Sequence, residues 1–181
     1  MPAPQERYKR NYKTISLEQQ QILVQSTITV IGCGGLGGFI IEGLARSGVG
    51  KIRLVDFDTF DVSNLNRQLF STEAAVGASK LEQAVARVRA VNSTVQIDAV
   101  EIRADLDNLP ELVKGSSMVI DAVDSIEVKI WLEQVCNKMN IPLIYGAIGG
   151  SYGQMAVSLP DKPVVSMLYQ SGQKHGIEKE L

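Results

Sequence analysis

Histidine is almost missing from this chain of 181 residues: His175 is the single one, and the only cysteines are Cys33 and Cys136. The scarcity of these two types removes whole classes of chemistry. A closed structural zinc site usually takes four Cys or His ligands, which this chain by itself can hardly supply. A histidine-based triad or a two-histidine catalytic metal site would have only His175 to draw on. Two cysteines more than 100 positions apart make no disulfide framework, which fits a reducing, cytoplasmic setting. Long apolar runs are lacking too. Every one is broken by glycine or charge well short of the roughly 18 residues that span a bilayer, and the N-terminal MPAPQERYKRNYK has no apolar leader core. Charge of one sign is also missing. A net charge of −2 gives no global attraction to nucleic acid or to an anionic membrane. Chemistry is left to carboxylates, Lys, Arg, backbone N–H groups and a bound cofactor.

What is present reads as one ordinary globular domain, with 45% hydrophobic and 21% charged residues. Residues 1–14 form a basic, Tyr-containing arm, and 15–181 a single domain. Ser16 followed by Gln19 predicts a capping box at the start of the helix LEQQQILVQ. The β-branched run STITVIG is a buried strand, and the glycine turn after it opens a helix that stops at Gly48. KIRLVDFD, TVQIDAVEI, SMVIDAVD and PLIYGAI are further strands. Helices are predicted between them over 79–91, 106–115 and 126–139. GQMAVSL is a sixth strand, read as antiparallel, and after Pro160 the pattern weakens. Apolar strands alternating with helices imply a doubly wound, mainly parallel α/β sheet of Rossmann type, covered on both faces. In such a sheet the site lies beyond the carboxyl ends of the strands.

The first strand ends in Gly32-x-Gly34-x-x-Gly37. Glycine lets the backbone approach a phosphate, and a helix N-terminus behind it presents free N–H groups. No Gly-Lys-Ser/Thr follows, so this is not a Walker A loop. The second strand ends at Asp56, where an acid can accept hydrogen bonds from ribose hydroxyls. To that point an NAD site and an ATP site read alike. Asp58, Asn64, Arg67, Gln68 and Lys80 come next, and their cations suit a triphosphate. The fourth strand ends in Asp121-Ala-Val-Asp124. One of these carboxylates would hold Mg²⁺ beside phosphates, or would cap the following helix. Cys33, Cys136 and Trp131 are read as packing residues and His175 as loop surface.

Four segments together resemble the ThiF/MoeB/HesA family, bacterial relatives of ubiquitin-activating enzymes. They are RYKRN at 7–11, the glycine turn with GVGKIRLVDFDTFDVSNLNRQ at 48–68, VGASK at 76–80 and DAVDS at 121–125. The resemblance implies an ATP-dependent adenylyltransferase. Its substrate would be the C-terminal glycine carboxylate of a ubiquitin-like sulfur carrier, as in thiamin- or molybdopterin-type sulfur transfer. By motif position, Gly32, Gly34, Gly35 and Gly37 form the nucleotide turn and Asp56 holds the ribose. Asn64, Arg67 and Lys80 contact phosphates, with Asp58 and Gln68 beside them, and Asp124 is the Mg²⁺ ligand. Arg10 corresponds to an arginine finger that enters the site of the other subunit of a homodimer, and Tyr8 and Tyr12 would pack the arm onto that partner subunit.

Two departures stand out. The place where family members carry the first zinc-binding Cys-x-x-Cys pair reads KPVVSMLYQ, so no zinc is expected. The crossover-loop cysteine is also missing, and the chain stops at Leu181, mid-loop by family standards. Three other readings stay open: adenylation of a different carboxylate (a small-molecule acid or a tRNA base), a non-catalytic carrier-docking dimer, and an NAD-dependent dehydrogenase.

Overall fold

The computed structural model describes residues 6–173. Strands and helices follow one another along the chain. They are α1 (Leu17–Gln25), β1 (Thr27–Ile31), α2 (Gly35–Ser47), β2 (Lys51–Asp56), α3 (Lys80–Val91) and β3 (Gln96–Glu101). Then come α4 (Leu109–Val113), β4 (Met118–Asp121), α5 (Ile126–Lys138), β5 (Leu143–Gly149), β6 (Tyr152–Ser158) and α6 (Val165–Gln173). The six strands make one sheet in the order β3-β2-β1-β4-β5-β6. The first five are parallel, and β6 runs antiparallel to β5. This is the expected doubly wound α/β architecture with its antiparallel C-terminal strand. Its switch point lies between β1 and β4, where Ile31 stands opposite Asp121.

Burial follows strand position. Ile28 to Ile31 of β1 and Val119 to Asp121 of β4 are buried, because helices cover both faces of the central strands. β3, at the sheet edge, has no buried residue, and its alternating pattern fits a strand covered only in part. One core cluster packs Ile41 and Ala45 of α2 and Leu81, Ala84 and Val88 of α3 on one face. The other packs Leu109 and Val113 of α4, Leu132 and Cys136 of α5, and Val165 of α6 on the opposite face. The capping box of α1 forms as expected: Ser16 Oγ accepts from Gln19 N, and Gln19 Oε1 accepts from Ser16 N. α2 begins at Gly35, inside the glycine turn, which puts its free N–H groups beside the end of β1.

Two expectations need correction. Tyr8 packs within its own subunit instead of on a partner. Its side chain is 3% exposed and its hydroxyl accepts from Asn92 Nδ2 at 2.7 Å. Asn92 caps the C-terminal end of α3 and also donates to Ala45 O at 2.8 Å, while Arg7 donates to its carbonyl. A buried amide requires such partners, and the arm provides them. The second correction is α6, a helix where the sequence pattern weakened. Its N-terminal amides are capped from a distance by Glu133 of α5, 1% exposed, which accepts from the backbone N–H of Val164, Val165 and Ser166. Ser158 at the end of β6 also donates to Glu133, at 2.6 Å. Burial alone would raise the Glu133 carboxyl; the hydrogen bonds from Ser158, Ser166 and Val165 outweigh it and hold the group below the usual glutamate value. His175 lies outside the described residues. Among the described residues no helix is long and apolar enough to cross a membrane.

Candidate nucleotide site

A cavity of about 940 Å³ opens at the carboxyl ends of the strands, a size in the usual range for ligand sites. Its first wall is the glycine turn. Gly32, Gly34 and Gly35 line it. Gly32 has φ +99°, and a Cβ there would stand 2.6 Å from Ala122 O. Only glycine adopts that backbone conformation without strain while the β4 loop packs so close. Gly37 does not line the cavity. A Cβ on Gly37 would come within 2.0 Å of Gly32 O, so this glycine lets α2 lie directly against the turn. Cys33 is 1% exposed. Burial first, and then the Asp56 charge, push its thiol well above the usual cysteine value, so it is a packing residue and no nucleophile.

The second wall comes from β2 and the loop after it. Asp56 Oδ2 accepts from Cys33 N at 2.6 Å and Oδ1 from Asp58 N at 2.8 Å. The carboxylate thereby fixes the glycine turn to the end of β2 and keeps further lone pairs for a ligand. Lys80 opens α3, is 9% exposed, and reaches Asp58 Oδ2 at 3.2 Å. Arg67 also lines the cavity, its guanidinium donating to Ser63 O at 2.9 Å. Gln68 lines it opposite Gly34, is 9% exposed, and its Oε1 has no hydrogen-bond partner among the described residues. A buried amide oxygen without a partner is costly in an empty pocket and is relieved by a ligand that donates to it, or to which the rotated amide donates.

Asn64 does not reach the cavity. Its Oδ1 accepts from Asp61 N at 3.1 Å, and its backbone carbonyl accepts from Arg67 N and Gln68 N. It shapes the short turn that presents Arg67 and Gln68. Arg10 is exposed and is not among the lining residues. The arm docks where α2 and α3 finish, the end of the sheet opposite the cavity.

The third wall is the β4–α5 junction. Ser125 caps α5 by accepting from Val128 N, which leaves the Asp124 carboxylate without a hydrogen bond or ion pair to any described residue. Asp124 lines the cavity and is exposed. Asp121 is 0% exposed and held otherwise. Lys129 Nζ lies 3.1 Å from both of its oxygens and donates to Gly146 O at 2.7 Å. Burial pushes the Asp121 carboxyl up, to about 6, with Lys129 opposing the rise. This buried pair ties β4, α5 and β5 together under the cavity, since Ala122, Val123 and Gly146 line it directly above. Lys129 carries no motif and was not legible as part of the site. Phe57 and Arg103 also line the cavity. The strand-end rule, applied to β3 as it was to β1, β2 and β4, would have found Arg103.

Among the described residues no group of three or more His, Cys, Asp or Glu side chains is placed to hold a metal by itself. One carboxylate without a partner among the described residues, Asp124, lines the same cavity as Lys80 and Arg67 and fits a Mg²⁺ that brings phosphate oxygens and water for its other ligands.

Fold and cavity together define a Rossmann-like domain whose cavity gathers Arg67 and Lys80 beside a glycine turn. The chain belongs to the ThiF family, whose model matches residues 8–179. It is 38% identical over 173 residues to the SAMP-activating enzyme E1 of Haloferax volcanii, covering 94% of this chain and 64% of that protein. It is 37% identical over 153 residues to the molybdopterin-synthase adenylyltransferase of Salmonella typhimurium, covering 83% of this chain and 61% of that protein. The crystal structure of the Escherichia coli tRNA N6-threonylcarbamoyladenosine dehydratase TcdA in complex with ATP superposes with a TM-score of 0.77 at 34% identity. The match covers 81% of this chain and 61% of that one. The chain thus spans less than two thirds of the length of each of these relatives.

Proposed function

We propose that this domain binds Mg-ATP and transfers AMP to the C-terminal glycine carboxylate of a ubiquitin-like sulfur carrier. One observation carries the reading. The ends of β1, β2 and β4 and the start of α3 bring Gly34, Asp56, Arg67, Lys80 and Asp124 around one cavity. The carboxylate oxygen forms a bond to the α-phosphorus, the bond to the bridging oxygen breaks, and pyrophosphate leaves. Both reactants are anions, so the barrier is largely charge repulsion. Arg67 and Lys80 supply positive charge where it moves onto the leaving group. Mg²⁺ held by Asp124 would neutralise phosphate charge when bound. No general base is required, because a carboxylate is already ionised at pH 7. That suits a chain with one histidine.

Among relatives with different acceptors, the far end of the cavity favours a protein tail. Leu36, Phe39, Ala147, Ile148 and Gly150 line it without a charged side chain, and Phe39 and Ile148 are 58% and 66% exposed. An uncharged, apolar mouth accepts a Gly-Gly terminus on an extended peptide. A polyanionic tRNA would need cations there.

Arg10 is proposed to act in trans, in a homodimer. Supporting this, its arm is anchored at the end of the sheet away from its own cavity. ATP–pyrophosphate exchange with a Gly-Gly-ended carrier tests the activity; no exchange at saturating Mg-ATP would overturn it. Mixing Arg10→Ala with Lys80→Met tests the dimer. Activity restored on mixing is expected, and two variants that stay dead together would refute the trans assignment.

A further inference from the structure

Far from the cavity, two buried amides fix the N-terminal arm to the body, and they bracket one residue. Asn92, 3% exposed, uses both of its side-chain donors and its acceptor. Its Nδ2 donates to Tyr8 Oη at 2.7 Å and to Ala45 O at 2.8 Å. Its Oδ1 accepts from Arg7 and from Thr94 Oγ1, the latter at 2.8 Å. The second anchor is Gln20, 4% exposed, which accepts from Asn11 Nδ2 at 3.0 Å and donates to Ser47 O at 2.8 Å. The Tyr8 ring and the Gln20 amide meet over Gly48, where a Cβ would stand 2.5 Å from Tyr8 Cζ and 2.8 Å from Gln20 Nε2. Lys9 and Arg10 lie between the anchored Tyr8 and Asn11. Lys9 pairs with Glu6 at 3.2 Å. Arg10 is exposed, and its guanidinium has no hydrogen bond or ion pair to any described residue.

We propose that Asn92, seconded by Gln20, is a positioning residue: it holds the Tyr8–Asn11 turn so that Arg10 stands at a fixed place for the cavity of a second copy of this chain. The inference rests on the trans role of Arg10 given above. The five residues of β1 put about 17 Å between the anchored end of the sheet and the cavity, farther than an arginine side chain extends. A cation on a loose tail must be ordered each time it is used, whereas one on a turn tied at both sides is already placed. Asn92 touches neither nucleotide nor acceptor; it acts only through Arg10.

The test measures ATP–pyrophosphate exchange by the whole chain, with variants alone and mixed in equal amounts. Asn92→Ala should lower exchange about tenfold, while its affinity for Mg-ATP, read by calorimetry, stays that of wild type because its cavity is intact. Mixed with Lys80→Met, which has an anchored Arg10 but a damaged cavity, Asn92→Ala should gain about fivefold over the same amount alone. Mixed with Arg10→Ala, which has no finger to lend, it should gain nothing. A substitution that only loosened the fold would not distinguish the two partners. Asn11→Ala, which removes the second anchor from the arm side and leaves the body untouched, should follow the same pairing rule with a smaller loss, and it decides the matter if Asn92→Ala does not fold. Full activity in Asn92→Ala, or rescue by both partners or by neither while Arg10→Ala and Lys80→Met restore each other, would overturn the positioning role. Failure of Arg10→Ala and Lys80→Met to restore each other would instead overturn the trans reading on which it rests.

Discussion

Replacing Lys129 by Met is the sharpest probe of how the cavity floor is held. The ammonium makes three short contacts, two to Asp121 and one to Gly146 O. Methionine has similar length and none of these bonds, so among the described residues Asp121 keeps only the hydrogen bond from Val123 N at 3.2 Å. Removing one partner of a fully buried ion pair typically costs about 3–5 kcal/mol, because the other charge stays desolvated. The size depends on pH. The folded Asp121 value, about 6, lies above its usual 3.8. A raised folded value means that this group favours the folded state most at low pH and loses that contribution as pH rises through about 6. Without Lys129 the folded value climbs further. At pH 5 the carboxyl is then neutral, and the variant should lose only about 1–2 kcal/mol, for the unpaired Gly146 carbonyl and lost contacts. At pH 8 the loss should grow toward the full ~3–5 kcal/mol. Urea unfolding at the two pH values measures both. The double variant Lys129→Met/Asp121→Asn should regain at least half of the loss at pH 8 and show little pH dependence. A Lys129→Met protein equally destabilised at both pH values, or not rescued in the double variant, would refute the reasoning.

Three further outcomes follow from the same geometry. Gly37→Ala forces a Cβ to within 2.0 Å of Gly32 O, so thermal unfolding should show a loss of about 1–3 kcal/mol and ATP should no longer raise the midpoint. Glu133→Gln should cost about 1–3 kcal/mol at pH 7. Its carboxyl is held below the ordinary value, so its contribution is present above the unfolded value and lost as pH falls through the folded one. The variant should therefore show a flatter acid limb in a stability–pH curve than wild type. Asp124→Ala should remove the Mg²⁺ dependence of nucleotide affinity while binding of metal-free ATP in EDTA is kept or slightly improved; an unaltered Mg²⁺ response would exclude Asp124 as the ligand.

The strand–helix alternation, the glycine turn and the acids at Asp56 and Asp124 were legible because each depends on local chemistry. A β-branched run, a glycine at a positive φ and a carboxylate at a strand tip leave their marks within a few residues. Lys129, Glu133 and Tyr8 were not legible, because each acts at long range. Lys129 reads as an ordinary helical lysine until the sheet brings Asp121 and Gly146 to it. Glu133 caps a helix that begins 32 residues later, so the segment itself has little signal. Tyr8 belongs to a basic stretch that looks like a solvated arm, and only the buried Asn92 amide explains why it docks. Asn64 shows the opposite error: its motif points at phosphate, yet its side chain builds the turn beneath Arg67.

The cavity's lining runs from Ile31 to Gly150, and nearly every element of the sheet contributes to it. In an unfolded chain these groups are strangers, so any ligand that bridges them binds the folded state alone. At a hundred times its dissociation constant such a ligand adds about 2.7 kcal/mol to folding. On the proposed function, a bound nucleotide would then be a removable staple across the sheet as well as a reactant. The lifetime of this protein against proteolysis should rise and fall with nucleotide supply, whether or not any acceptor is present.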